Sequence, residues 1–256
     1  MKNLKVTEEN FGSLLLKSVE DALEHARQIS ITRNIIGFGG QAGTGKGSAA
    51  SALVKHFGYT EVCFGDALKE FLSDIFSISN DIFYVRELKD KDFDKPIILK
   101  PYHICKLLDI LGDELNDDFY ELEVDLIAEF EGYEFTSPGN MMQVIGTDIV
   151  RNRIDKDIWI DIFDVRTKNI EKLVCSDVRF SNERQYIKDQ GGEIVLIKRQ
   201  DLDKLDRHNH ESENNLGSED EYNVIVENRC YNPIHISSDI RTWYAHSYAK
   251  RHGLQV

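Results

Sequence analysis

Asn34-Ile35-Ile36-Gly37-Phe38-Gly39-Gly40-Gln41-Ala42-Gly43-Thr44-Gly45-Lys46-Gly47-Ser48 is the stretch whose reading decides the fold. Its first six residues form a short apolar run of buried-strand character. Its remainder is crowded with glycine, and Ala49-Ala50-Ser51-Ala52-Leu53-Val54 behind it reads as a helix. Strand, glycine-rich loop and helix in that order is the context of a phosphate-binding loop. The glycines let the backbone turn several N–H groups toward one anion, and the helix N-terminus adds its partial positive charge. Lys46 then reaches the outer phosphates as a point charge.

A hydroxyl residue usually follows this lysine directly, where it helps to hold magnesium. Here Gly47 intervenes and Ser48 comes next. Lys-Gly followed by Ser or Thr resembles the loop of adenylate-kinase-like nucleoside monophosphate kinases. That favours a small-molecule phosphotransferase over a GTPase switch or a motor.

At 256 residues, 41% hydrophobic and 30% charged, the chain has the make-up of a soluble protein and can bury a substantial core. One domain with an insertion is the economical arrangement: an N-terminal extension over 1–30, then a kinase-like domain over 31–256. A net charge of -14 argues against a general nucleic-acid or membrane-surface binder. A phosphate site must then be a local basic pocket in an acidic surface. Cys63, Cys105, Cys175 and Cys230 form no closely spaced pair, so free thiols in a reducing cytosol are expected rather than disulfides or zinc. No apolar run is long enough to span a bilayer. The expected compartment is the cytosol, a host's cytosol for a phage protein.

Phe11, Leu15, Val19, Ala22 and Ala26 recur at helical spacing and predict an amphipathic helix over 11–28. Beyond the loop, four apolar runs follow at 62–64, 173–175, 194–197 and 224–226, with helical stretches between several of them. This alternation predicts an α/β fold: a parallel sheet of about five strands with helices on both faces, a three-layer sandwich. The interval of about 81–136 breaks the rhythm. It opens with a charged run and continues with Leu107, Leu108, Leu111 and Leu115 on one helical stripe. It reads either as a mobile helical insertion that covers a substrate or as a solvated peripheral helix pair.

Three constellations carry the chemistry. Asp177 ends the apolar run 173–175, where a carboxylate beside the phosphate loop orients magnesium, and Arg179 points to the same side of an extended chain. In Gln143-Val144-Ile145-Gly146-Thr147-Asp148-Ile149-Val150-Arg151, a helix starting near Thr147 would put Asp148 and Arg151 on one face. The carboxylate suits a base or sugar, and the guanidinium suits a phosphate. Trp159 offers either a stacking face or core packing. In Phe64-Gly65-Asp66-Ala67-Leu68-Lys69, the lysine sits badly for the dipole of its own helix, a conflict a bound phosphate would relieve. Arg86 could converge on the same anion. His208 and His210 lack a third ligand for zinc, and the loop over 208–218 is instead expected to close over the nucleotide.

The ordered set resembles the phage-type deoxynucleoside monophosphate kinases. The matching stretches are the loop, the Phe64–Lys69 run, and the Gln143–Arg151 run with Trp159. Asp177-Val178-Arg179-Phe180-Ser181-Asn182-Glu183, Gly191-Gly192-Glu193-Ile194-Val195 and His210-Glu211-Ser212-Glu213 complete the set. Two features depart from it: the first 30 residues look added, and Gly139 stands where the resemblance predicts an arginine.

The resemblance implies magnesium-dependent transfer of the γ-phosphoryl group of ATP to a deoxynucleoside monophosphate. It implies ATP contacts from Gly40, Ala42, Gly43, Thr44, Gly45, Lys46, Gly47 and Ser48, and metal contacts from Ser48 and Asp177. The implied substrate contacts are Asp66, Lys69, Arg86, Gln143, Thr147, Asp148, Arg151, Trp159, Arg179 and Glu183. Lys46, Arg151, Asp177 and Arg179 would be catalytic. Nucleic acid and membranes are not expected partners, and the sequence does not decide between a monomer and a homodimer. The alternatives are a kinase of another phosphate ester, of the dephospho-coenzyme A or phosphomevalonate type, and a nucleotide-dependent switch.

Overall fold

The computed structural model describes residues 33–199, 216–229 and 233–251, apart from the side chains of Arg86 and Arg251. Strand β1 (Asn34–Gly39) leads through the glycine loop into helix α1 (Lys46–Phe57). Strand β2 (Thr60–Glu61) and helix α2 (Asp66–Phe76) follow. The inserted segment holds α3 (Asp81–Tyr84), α4 (Arg86–Lys89), β3 (Ile97–Ile98), α5 (Pro101–Leu115), α6 (Glu123–Phe130) and β4 (Glu134–Phe135). Helix α7 (Pro138–Gln143) runs on into a wide π-wound segment, Val144–Ile154, and α8 (Ile158–Thr167) comes next. The last elements are β5 (Lys172–Cys175), α9 (Ser181–Asp189), β6 (Glu193–Lys198), β7 (Val224–Glu227) and α10 (Pro233–Arg251).

The main sheet has the order β2-β5-β1-β6-β7, and every pairing in it is parallel. Alternation along the strands divides the core into two layers, because successive side chains point to opposite faces. Ile36, Phe38, Val174, Val195 and Ile197 pack against α1 and α10 through Leu53, Ile236 and Ile240. Ile35, Leu173, Cys175, Ile194 and Leu196 face the other way, onto Phe163 of α8 and Ile187 of α9. The fold is therefore α/β, a five-stranded parallel sheet with helices on both faces. Among the described helices, none is long and apolar enough to cross a membrane.

A third core lies beside the sheet. Leu107, Leu108 and Leu111 of α5 are fully buried against α2, α8 and the Val144–Ile154 segment, and Leu115 packs at the edge. Arg166 of α8 ties this unit together, donating to Glu70 of α2 and to Glu114 of α5. Strands β3 and β4 pair antiparallel outside the main sheet. The leucine stripe is thus core, whereas the stretch containing α3 and α4 borders the site described below.

Two local expectations shift. The second strand was expected at 62–64 but occupies Thr60–Glu61. The Val62 N–H still donates to the Val174 carbonyl at 3.0 Å, and then the Cys63 N–H turns away to the Asp66 carboxylate at 2.8 Å, ending the ladder. Thr147 does not start a helix. The start is ten residues earlier, where Ser137 Oγ accepts from the Asn140 N–H at 3.1 Å and Pro138 takes the first helical position.

Gly146 in the π-wound segment has a packing reason. A Cβ there would lie 2.4 Å from Leu68 Cδ2, so only glycine lets α2 approach. Its carbonyl accepts from the Trp159 indole N–H at 2.9 Å. Long π-winding is rare and tends to occur near functional sites.

Candidate active site

The loop between β1 and α1 is shaped for an anion. Gly45 precedes α1 at φ 106° and no side chain caps the helix. Gly40 sits at φ +144°, where a Cβ would meet the Ile197 carbonyl oxygen at 2.4 Å. Among the described residues, the N–H groups of Ala42, Gly43, Gly45, Gly47 and Ser48 donate to nothing. The loop is braced from behind. Asn228 donates to the Thr44 carbonyl at 2.8 Å, Arg199 to the Gly43 carbonyl at 3.0 Å, and Thr44 Oγ1 to the Gln41 carbonyl at 2.9 Å. Lys46 Nζ lies across the loop, donating to the carbonyls of Gly40 at 2.6 Å and Gln41 at 2.9 Å. These contacts position a cation where outer phosphates would arrive.

Beside the loop opens a cleft of about 640 Å³, within the range of small-molecule sites. Ala42 belongs to both, so loop and cleft share a wall. Helix α2, the α3–α4 stretch, α7 with its π-wound continuation, and the turn after β5 enclose it. Of the residues expected at the substrate, Lys69, Gln143, Thr147, Arg151, Trp159, Arg179 and Glu183 line this cleft, as does Asp177. Asp66 and Asp148 do not. Trp159 is a core residue with one face on the cleft, 4% exposed.

Lys69 has a partner of its own. Its ammonium pairs with Asp66 at 2.9 Å and lies 4.2 Å from the centre of the Tyr84 ring. The Asp66 carboxylate supplies the negative charge that a bound anion was expected to bring to this helix start. Burial acts to lower the Lys69 pKa, but Asp177 and Asp66 outweigh it and raise it overall.

Arg151 is held by the first turn of α9 and the residue before it rather than by Asp148. Its guanidinium donates to Asn182 Oδ1 at 2.8 Å and to Glu183 Oε1 at 3.3 Å, and stacks 3.7 Å from the centre of the Phe180 ring. The wide winding of Val144–Ile154 is the cause, since residues three apart no longer share a face as they do on an α-helix. Glu183 is the hinge of this cluster. Its Oε2 accepts from the backbone N–H groups of Arg179 at 2.8 Å and Phe180 at 3.0 Å, which caps α9 and fixes the turn that carries Arg179. Burial pushes its carboxyl up to about 7, with Asp177 adding to the rise and the backbone donors and Arg151 opposing it.

Asp177 lies at the carboxyl end of β5, next to β1 in the sheet, and its Oδ1 accepts from the Cys175 thiol at 3.3 Å. Cys63, Cys175 and Asp177 cluster with their ligand atoms within 4.8 Å. Burial pushes the Cys175 thiol well up, which disfavours the thiolate a soft metal requires. Ser48 and Asp177 instead offer hard oxygen ligands, which fit magnesium.

The cleft also holds residues that the sequence reading passed over: Lys89 and Asp90 from the inserted stretch, Tyr84, Asn140 and Phe180. The expected helix over 11–28, Cys230 and most of the 208–218 loop lie outside the described residues, as does the side chain of Arg86.

A family model for deoxynucleotide monophosphate kinases matches residues 125–232 of the chain. That match covers Arg151, Asp177, Arg179 and Glu183 and begins after the glycine loop. The chain is also 28% identical, over 208 residues, to a protein of Acanthamoeba polyphaga mimivirus provisionally named a deoxynucleotide monophosphate kinase. The alignment covers 76% of this chain and 88% of that protein.

Proposed function

We propose that this chain, a relative of the deoxynucleotide monophosphate kinases, transfers the γ-phosphoryl group of ATP to a deoxynucleoside 5′-monophosphate. The observation that carries the reading is the shared wall. An anion-ready loop and a cleft lined by Lys69, Arg151, Asp177 and Arg179 meet at Ala42. A nucleotide switch needs the loop alone, whereas a phosphotransferase needs both.

The chain's residues then divide the work. The free N–H groups of the loop bind the donor phosphates, and Lys46 leaves the Gly40 and Gln41 carbonyls to follow the transferring group. Arg179 neutralises charge at the junction, and Glu183 holds its backbone in place. Ser48 and Asp177 would hold a magnesium ion, which supplies further charge neutralisation when bound. The acceptor phosphate has a second pKa of about 6 and is already an anionic nucleophile, so no general base is required. Catalysis is positioning plus electrostatics. The free thiols Cys63, Cys105 and Cys175 are compatible with a reducing cytosol.

Thermal denaturation in the presence of single nucleotides tests the acceptor half. At least one deoxynucleoside monophosphate should raise the melting temperature with no triphosphate present, because a ligand that binds only the fold stabilises it. A response confined to di- and triphosphates would make the protein a switch.

A further inference from the structure

Lys89, at the end of α4, is a cation of the cleft with no partner among the described residues. Two other basic groups of the cleft are spoken for: Lys69 by Asp66, and Arg151 by Glu183 and Asn182. Lys89 Nζ has no carboxylate within 4.0 Å and no hydrogen-bond partner among the described residues, and the same holds for the Arg179 guanidinium. Burial lowers the Lys89 pKa, and the neighbouring charges of Arg179 and Lys69 lower it further, against a smaller pull from Asp90 and Asp177. Several cations thus face a common space in a protein of net charge -14. Such an arrangement is costly unless an anion completes it.

The backbone is arranged to bring Lys89 there. A Cβ on Gly139, in the first turn of α7, would come within 3.2 Å of the Lys89 carbonyl oxygen and 3.7 Å of its Cγ. A side chain at 139 would therefore require the Lys89 backbone to give by a few tenths of an ångström. Lys46 and Ser48 do not line this cleft, so the space belongs to the acceptor side and not to the donor loop.

We infer that Lys89, together with Arg179, binds the phosphate of the acceptor nucleoside monophosphate. The inference rests on the function proposed above and adds a residue and a subsite to it. It also gives the α3–α4 stretch a role: substrate phosphate is the counter-charge that holds this stretch against α7.

Titration calorimetry with the four common deoxynucleoside 5′-monophosphates, their parent deoxynucleosides and ATP tests it. Lys89→Met keeps the length of the side chain and removes the charge. It should weaken the best-bound monophosphate about ten- to hundred-fold while leaving its nucleoside and ATP unchanged. Lys89→Arg should restore most of the loss. The melting temperature of unliganded Lys89→Met should equal or exceed that of wild type, which a structural role would not allow. Unchanged monophosphate affinity, or an equal loss for ATP, overturns the assignment of Lys89 and leaves the kinase reading intact. A wild-type protein that binds none of the four monophosphates overturns both.

Discussion

Lys46→Met should lose phosphoryl transfer by about a hundred- to a thousand-fold or more while melting at the wild-type temperature. The size follows from what removing one pre-positioned electrostatic donor costs where charge develops in a transition state. Stability should be spared because the lysine donates to the loop carbonyls of Gly40 and Gln41, which water can satisfy when it is gone. Measured turnover of ATP with saturating monophosphate, beside a thermal melt, separates the two effects. Near-normal turnover in this variant would remove the glycine loop from the chemistry.

The largest loss of stability should come from Glu183→Ala. This substitution takes one carboxylate from two partly buried backbone N–H groups and from the buried Arg151 guanidinium at once. The cost is about 3 kcal/mol, or a fall in melting temperature of about 6–12 °C for a chain of this size. The group also sets a pH dependence. Its folded pKa, raised to about 7, lies above the unfolded value near 4.3, so between these limits the fold binds a proton that the unfolded chain does not. The contribution of Glu183 therefore grows as pH falls from about 7 toward about 4.3, and is lost as pH rises through 7. Glu183→Gln should flatten that part of the stability–pH curve. An unchanged melt for Glu183→Ala would mean that the turn carrying Arg179 is held by something else.

What the sequence made legible was what local chemistry writes. The strand, loop and helix over 34–57 were readable because glycine spacing and an apolar run act within a few residues. The strands at 173–175, 194–197 and 224–226 were readable for the same reason, and parallel burial followed from them. The start of α7 was also written locally, in Ser137-Pro138, whereas the sequence reading weighed a helix start near Thr147. Asp66, three residues before Lys69, was a readable partner for that lysine and was passed over for an external anion.

The rest depends on packing across the chain. Nothing local announces π-winding over Val144–Ile154, which turns Arg151 toward Asn182 and Glu183 and away from Asp148. Glu183 itself was noted in its motif, but its double role needed the fold that brings 151 and 183 together. Lys89 could not be found, because only the folded insertion sets it against Gly139, at the position where resemblance suggested an arginine.

The most direct measurement is product analysis by phosphorus NMR or ion-exchange chromatography, with the purified protein, ATP, magnesium and each deoxynucleoside monophosphate in turn. At least one reaction should yield ADP and the deoxynucleoside diphosphate in equal amounts, with little ADP when the monophosphate is left out. ADP and inorganic phosphate formed at the same rate with or without any monophosphate, and no diphosphate of the acceptor, would contradict phosphoryl transfer and leave a nucleotide hydrolase or switch in its place.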